Sequence, residues 1–443
     1  MSRATHIEPP WWDIAEEHLS EATFLWSKWE QALSSPAFTL AEAAEREERL
    51  RAHLDGLVLG GAMVAERMLK PALAEEDPFL VAAASCALLD GGQSLDMLLA
   101  ETGLESAVQW AGVQRALEFC EREGLPAQML ALLSRSAPPA RVCILGALGA
   151  RGVEAGPELE RLLSSDEPVL VSNALKVVRN SASSPIREQV RRLLGSPLPD
   201  IRAAALETGV ALGLRGAWLA CQQFASEDDA AGQRARLLMA MGGETPDIRA
   251  LLALLGVPEL RQDVLWVLGF SGRVAAADAC VELLGEPDSR VARLAAESFC
   301  AITGLVLEGR YVRHEPRDAA DELVPLEEED LDEPLVLRSE DELLLAEPNA
   351  VRTWWREARH GFEPEGRYLH GKPARLDQFL EVLRGGPMRR HHVLALELAI
   401  RSQGRLFLQT SGGWRRQLRQ MEEIQAMRGA MSFGPFRLLC QQN

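Results

Sequence analysis

One turn-and-helix pattern recurs along this chain at intervals close to 30 residues, and nothing else constrains the fold as strongly. "EPDSRVARLAAESFCAITG", Glu286 to Gly304, shows the unit plainly: a turn, a helix with small residues down one side, and a glycine stop. Similar starts occur at Pro78, Ser106, Pro138, Pro168, Pro199, Asp229, Pro258 and Pro287. A second short helix is expected in most intervals, as in "PELERLL", "PIREQVRRLL", "PDIRALLALL" and "AADACVELL". Proline at a helix start gives up an N–H that has no intrahelical partner, and glycine at the end accepts the left-handed turn that closes it. A lone hairpin of two such helices cannot bury its apolar face, but stacked neighbours can. The fold expected is therefore all-α: an α-solenoid of about eight hairpins, with no β-sheet core.

Composition agrees. Aromatic residues make up only 5% of the chain, and Leu, Ala and Val must build the core. Small residues such as Ala204 and Ala295 are expected where one repeat approaches the next. Arg141, Arg202, Arg261 and Arg290 recur three residues after the turn, in reach of turn carboxylates and carbonyls, which assigns them a structural task.

Four regions are expected: an N-terminal helical cap (1–76), the repeats (77–304), an acidic connector (305–347) and a basic helical C-terminal region (348–443). The cap reads as two longer helices, the first carrying Trp26 and Trp29 at core spacing. The second opens on a capping box of Thr39 with Glu42. In the connector, "EEEDLDEP" (Glu327–Pro334) reads as a mobile acidic run.

Charge is unevenly spread. The formal total is −18; Glu308–Glu347 holds 15 acidic and four basic residues, and Pro348–Asn443 holds 16 basic and eight acidic. An acidic body argues against general nucleic-acid binding, which needs clustered Lys and Arg. The opening residues lack the apolar core of a signal peptide, and no apolar run reaches membrane-span length, so a cytoplasmic location is expected. The seven cysteines form no CxxC pair and sit among apolar neighbours, as buried thiols do.

No nucleotide-binding, nucleophile-elbow, zinc-protease or paired-cysteine motif is present, so no catalytic, cofactor-binding or metal-ligating residue is assigned. Candidate partner-binding residues lie in the basic region. Arg389, Arg390, His391 and His392 form its densest cluster, open to two readings: docking of this basic region on the acidic repeats, or recognition of an acidic partner. Adjacent imidazoles on a helix point about 100° apart and do not share an ion easily. Trp354 and Trp355 cannot both face one core by the same geometry, and tryptophan is favoured at binding hot spots. The helices around Arg187, Arg191 and Arg249 are a further place for a partner.

The pattern in "PDIRAAALETGVAL" and "PDSRVARLAAESF" resembles the short HEAT-like repeat family across about Asp77–Gly304. More specifically, "EERLRAHLDGLVLGG", the repeats and "PNAVRTWWREARHGFEPEGRYLHGKP" together look like a bacterial HEAT-repeat family often encoded among type VI secretion genes. The resemblance implies a non-enzymatic scaffold or adaptor for protein partners. Two alternatives follow from HEAT-like proteins more widely: a nucleic-acid binder using the Arg-rich C-terminal region, or a lyase-like modifier of bilin-carrying partners. No cofactor is implied for the leading reading.

Overall fold

The computed structural model describes residues 11–101, 105–178, 183–313, 338–427 and 431–441. Among these the protein is all-α, apart from one two-residue antiparallel ladder and two isolated bridges. The run Glu327–Pro334, expected to be mobile, lies outside the described residues.

Helices α1 (Trp12–Ser34) and α2 (Leu40–Leu59) form the N-terminal pair, followed by the short α3 (Gly61–Val64), one π-turn and α4 (Lys70–Ala72). The expected capping box opens α2: Thr39 accepts from the Glu42 N–H, and the Glu42 carboxylate accepts from the Thr39 N–H. The Thr39 N–H and hydroxyl both donate to the Glu42 carboxylate, which favours its ionised form and holds Glu42 below its ordinary pKa. Trp26 and Trp29 are buried and pack edge to face with each other and against Phe119, each contact worth about 0.5–1.5 kcal/mol beyond area burial.

Helical pairs follow: α5 and α6 (Pro78–Asp90, Leu95–Glu101), α7 and α8 (Ala107–Phe119, Leu125–Leu133), and α9 and α10 (Pro138–Ala150, Leu159–Leu163). Next come α11 and α12 (Pro168–Lys176, Ser184–Leu193) and α13 and α14 (Pro199–Ala211, Arg215–Phe224). The series ends with α15 and α16 (Ala230–Gly242, Thr245–Leu254), α17 and α18 (Pro258–Ser271, Val274–Leu283), and α19 (Ser289–Thr303). Each first helix packs on the first helix before and after it, from α5 to α19, and α1 and α2 pack on α5. Where proline does not open a first helix, a side chain caps it: Ser106, Asp229 and Asp288 each accept from the next turn's N–H groups.

α20 (Pro348–Ala358) lies against α18, much as α18 lies against α16, and its tryptophans pack on Phe299 of α19. The last pair therefore consists of α19 and α20, with residues 304–347 inserted between them. Sequence periodicity alone ended the array at 304, because the insertion breaks the period.

The remaining elements are β1 (Tyr368–Leu369), β2 (Lys372–Pro373), α21 (Leu376–Gly385), α22 (His391–Arg401), α23 (Trp414–Ala426) and α24 (Phe436–Leu439). They lie along the C-terminal ends of the first helices, where the last-turn carbonyls have no intrahelical partner. Gln409 and Arg416 donate to the Glu118 carbonyl of α7, and Arg401 to Met241 of α15. Arg367 donates to Phe270 and Ser271 of α17, and the His370 and Gly371 N–H groups to Ala301 and Ile302 of α19. Gly272 and Gly304 make this approach feasible. Both have positive φ, and a Cβ would meet the Tyr368 carbonyl oxygen at 2.2 Å or that of His370 at 2.6 Å.

Candidate functional site

The residues singled out from sequence occupy two places. α20 presents Trp355 inward: its indole Nε1 donates to Asp278 Oδ1 at 2.9 Å, and Arg359 donates to both Asp278 oxygens at 2.8 Å. Burial opposes the Asp278 charge, but the hydrogen bonds from Arg359 and Trp355 outweigh it and lower the pKa. Trp354 is half-buried and stacks on Trp355 with ring centroids 6.2 Å apart. Both rings also meet Phe299 edge-on, so two tryptophans that cannot point the same way are served by one phenylalanine between them.

The basic cluster forms a short 3₁₀ turn, Met388–Arg390, leading into α22. Backbone N–H groups of Met388 and Arg389 donate to Phe38 and Ser35, tying the turn to the N-terminal pair. The side chain of Arg389 lies over Trp266 of α17 at 4.4 Å and donates to Ser339 and, at 2.6 Å, to Glu340. Arg390 is 1% exposed; its guanidinium sits 3.9 Å from the Phe270 ring centroid and 3.4 Å from Glu297 of α19. His391 is buried against the Gly386 carbonyl, and burial lowers its pKa to about 4, leaving the ring neutral at pH 7.

Of the four, only His392 is exposed. Three members of the cluster thus lie inside the protein, as the docking reading expects and the acidic-partner reading does not. Guanidinium groups held over Trp266 and Phe270 and beside Glu297 are protein core, which a helical pattern cannot distinguish from a basic surface helix. The reason is that all these partners lie on helices far away in sequence.

His392 does face a groove. It is lined by α11, α13, α15 and α17 and encloses about 740 Å³. Its walls carry Val169 and Leu198, 58% and 41% exposed, with Ala204, Leu237 and Trp266 deeper. Polar residues alternate with them: Glu207 pairs with Arg234 at 2.7 Å, and Asp263 with Arg236 at 2.5 Å. Burial raises the Asp263 pKa despite Arg236. Ala204, expected at a tight inter-repeat contact, instead forms groove wall and is partly exposed, whereas Ala295 is fully buried.

Arg187, Arg191 and Arg249 lie on the second helices α12 and α16, away from this lining. Arg187 donates to the Leu212 carbonyl at the end of α13. Sequence reading missed Val169 and Leu198, although a signal was present: Val169 follows its turn proline where Asp200, Glu259 and Asp288 follow theirs, and Leu198 precedes its proline where Asp77, Glu167 and Glu286 precede theirs.

Among the described residues, no group of three or more His, Cys, Asp or Glu is placed to hold a metal ion. No family model matches the chain, and no curated protein matches it. Among solved structures, an engineered protein from the Northeast Structural Genomics Consortium is similar over 64% of this chain and 93% of its own, at 15% identity and a TM-score of 0.30. That likeness is too low to carry an argument about fold or function. No helix among the described residues is long and apolar enough to cross a membrane.

Proposed function

We propose that the protein is a non-enzymatic scaffold: an α-solenoid of about eight HEAT-like hairpins that binds a segment of a protein partner in the groove across α11, α13, α15 and α17. The observation that carries this reading is the groove itself, with Val169 and Leu198 exposed at its rim. A soluble repeat surface with no ligand gains nothing by exposing branched aliphatic side chains, and repeat arrays bind along such extended surfaces. The partner segment is apolar and basic. The chain carries a net −18, while Arg367, Arg389, Arg401 and Arg416 are engaged inside the protein. Their engagement also weighs against phosphate binding by the C-terminal region. An accessory role in type VI secretion is what the family resemblance adds.

The test is affinity capture from the native cell with the full chain and with a Val169→Asp, Leu198→Asp double variant. Wild type is expected to retain a specific protein, less of it as salt rises. The double variant is expected to lose at least about tenfold of it with an unchanged melting temperature, since both side chains are exposed. Equal retention by both would overturn the reading.

A further inference from the structure

A second cavity, separate from the groove, lies between the start of the inserted segment, α19 and the turn after α1, and encloses about 480 Å³. Most of its wall is apolar, including Pro36, Leu305, Leu343 and the exposed Val306 and Leu344, 63% and 52% exposed at the mouth. Its polar lining is unusual. Arg390 reaches it with no hydrogen bond to any of its three guanidinium nitrogens, and Glu297 with none to either carboxylate oxygen. Their only mutual contact is the 3.4 Å ion pair, and Glu297 Oε1 is also 3.4 Å from Arg389 Nε. Buried charged groups normally complete their hydrogen bonds, and leaving them open is costly. The space for Arg390 is built in: a Cβ at Gly269 would lie 2.7 Å from its Nη2.

The remaining titratable lining groups are Cys300, whose thiol burial pushes up to about 12, Glu342, which accepts from the Ser35 hydroxyl, and His370, whose pKa burial and Arg390 lower to about 4. A lone anion would sit beside Glu297 and Glu342, and a lone cation beside Arg390. A molecule carrying both charges at one end and an aliphatic body at the other satisfies every open group and covers the apolar wall. Volume and lining match those of small-molecule sites, which are mostly apolar with a few convergent polar groups.

We propose that this cavity binds a small aliphatic zwitterion, an α-amino acid of the leucine kind, with its carboxylate on Arg390 and its ammonium on Glu297. The reading is independent of the groove. Isothermal titration of the full chain with L-leucine, isovalerate, isoamylamine and glycine separates its parts: both charges with a tail, carboxylate with tail, ammonium with tail, and both charges without one. Leucine is expected to bind saturably at one site, at least about tenfold tighter than each of the other three. Val306→Asp, at the exposed mouth, is expected to weaken leucine at least tenfold while the free protein melts unchanged. No saturable heat from leucine, equal binding of isovalerate or isoamylamine, or no effect of Val306→Asp would each overturn the proposal.

Discussion

The stacked helices α5 to α19 and the C-terminal region are held by different forces. From α5 to α19 the chain packs on what comes about 30 residues earlier and later, mostly through Leu, Ala and Val. In α5 every residue from Val81 to Leu89 is buried. The C-terminal region makes polar contacts at far longer range, and arginine is its main tool. Arg367 and Arg401 share the fully buried Glu397 and also reach carbonyls at the ends of α17 and α15. The negative ends of aligned helices attract cations, and unpaired carbonyls accept from them. A surplus of positive charge that looks like a surface for a partner is here largely complementary to the array's own helix ends.

The largest test of that contrast is Glu397→Ala. Burial works against the Glu397 charge, but Arg367 and Arg401 hold its pKa below the usual value, while burial lowers Arg401 to about 10. Removing the carboxylate strands two buried guanidinium groups, and a loss of about 3–5 kcal/mol is expected in urea denaturation. A loss under about 1 kcal/mol would mean that the helix-end carbonyls alone hold these arginines.

Acid should loosen the C-terminal region first. The array between Pro78 and Thr303 contains no histidine, whereas His370 and His391 both titrate near pH 4 in the folded protein. The unfolded chain binds protons at about pH 6.5, so stability is full above that pH and falls as pH drops toward 4. For His391 the expected loss is on the order of 2–3 kcal/mol. Denaturation at pH 7 and pH 5 measures the first part of it, and His391→Gln should flatten the dependence. Hydrogen exchange should report faster exchange in α21 and α22 than in α13 and α15 at pH 5.

A finer comparison stays within the array. Ala295→Leu overpacks a fully buried contact and should cost about 1–3 kcal/mol, read as a lower melting temperature. Ala204→Leu at the groove wall should change stability by no more than about 0.5 kcal/mol. Equal effects would erase the distinction drawn between the two faces.

Much of the helical content was legible because its causes are local. Proline at the first turn of α5, α9, α11, α13 and α17, the Thr39–Glu42 box and the core spacing of Trp26 and Trp29 are all patterns within one helix. The turn arginines were also readable. Arg141, Arg202 and Arg261 donate to the carbonyls of Ser136, Ser196 and Leu255, while Arg290 pairs instead with Asp341 of the inserted segment. The pairing of α20 with α19 was not legible, since an insertion separates them. Nor was the groove, because its walls come from four helices.

What the sequence alone determined is the alternation of short helices, their starts and stops, and the small residues that let them stack, all set by interactions a few residues long. Where the positive charge goes was decided only in the tertiary structure. The partners of Arg367, Arg389, Arg390 and Arg401 are helix ends, aromatic faces and buried carboxylates that come together only when the stacked array exists. Burial then determines whether an arginine belongs to the core or to the surface, and burial is a property of the folded whole.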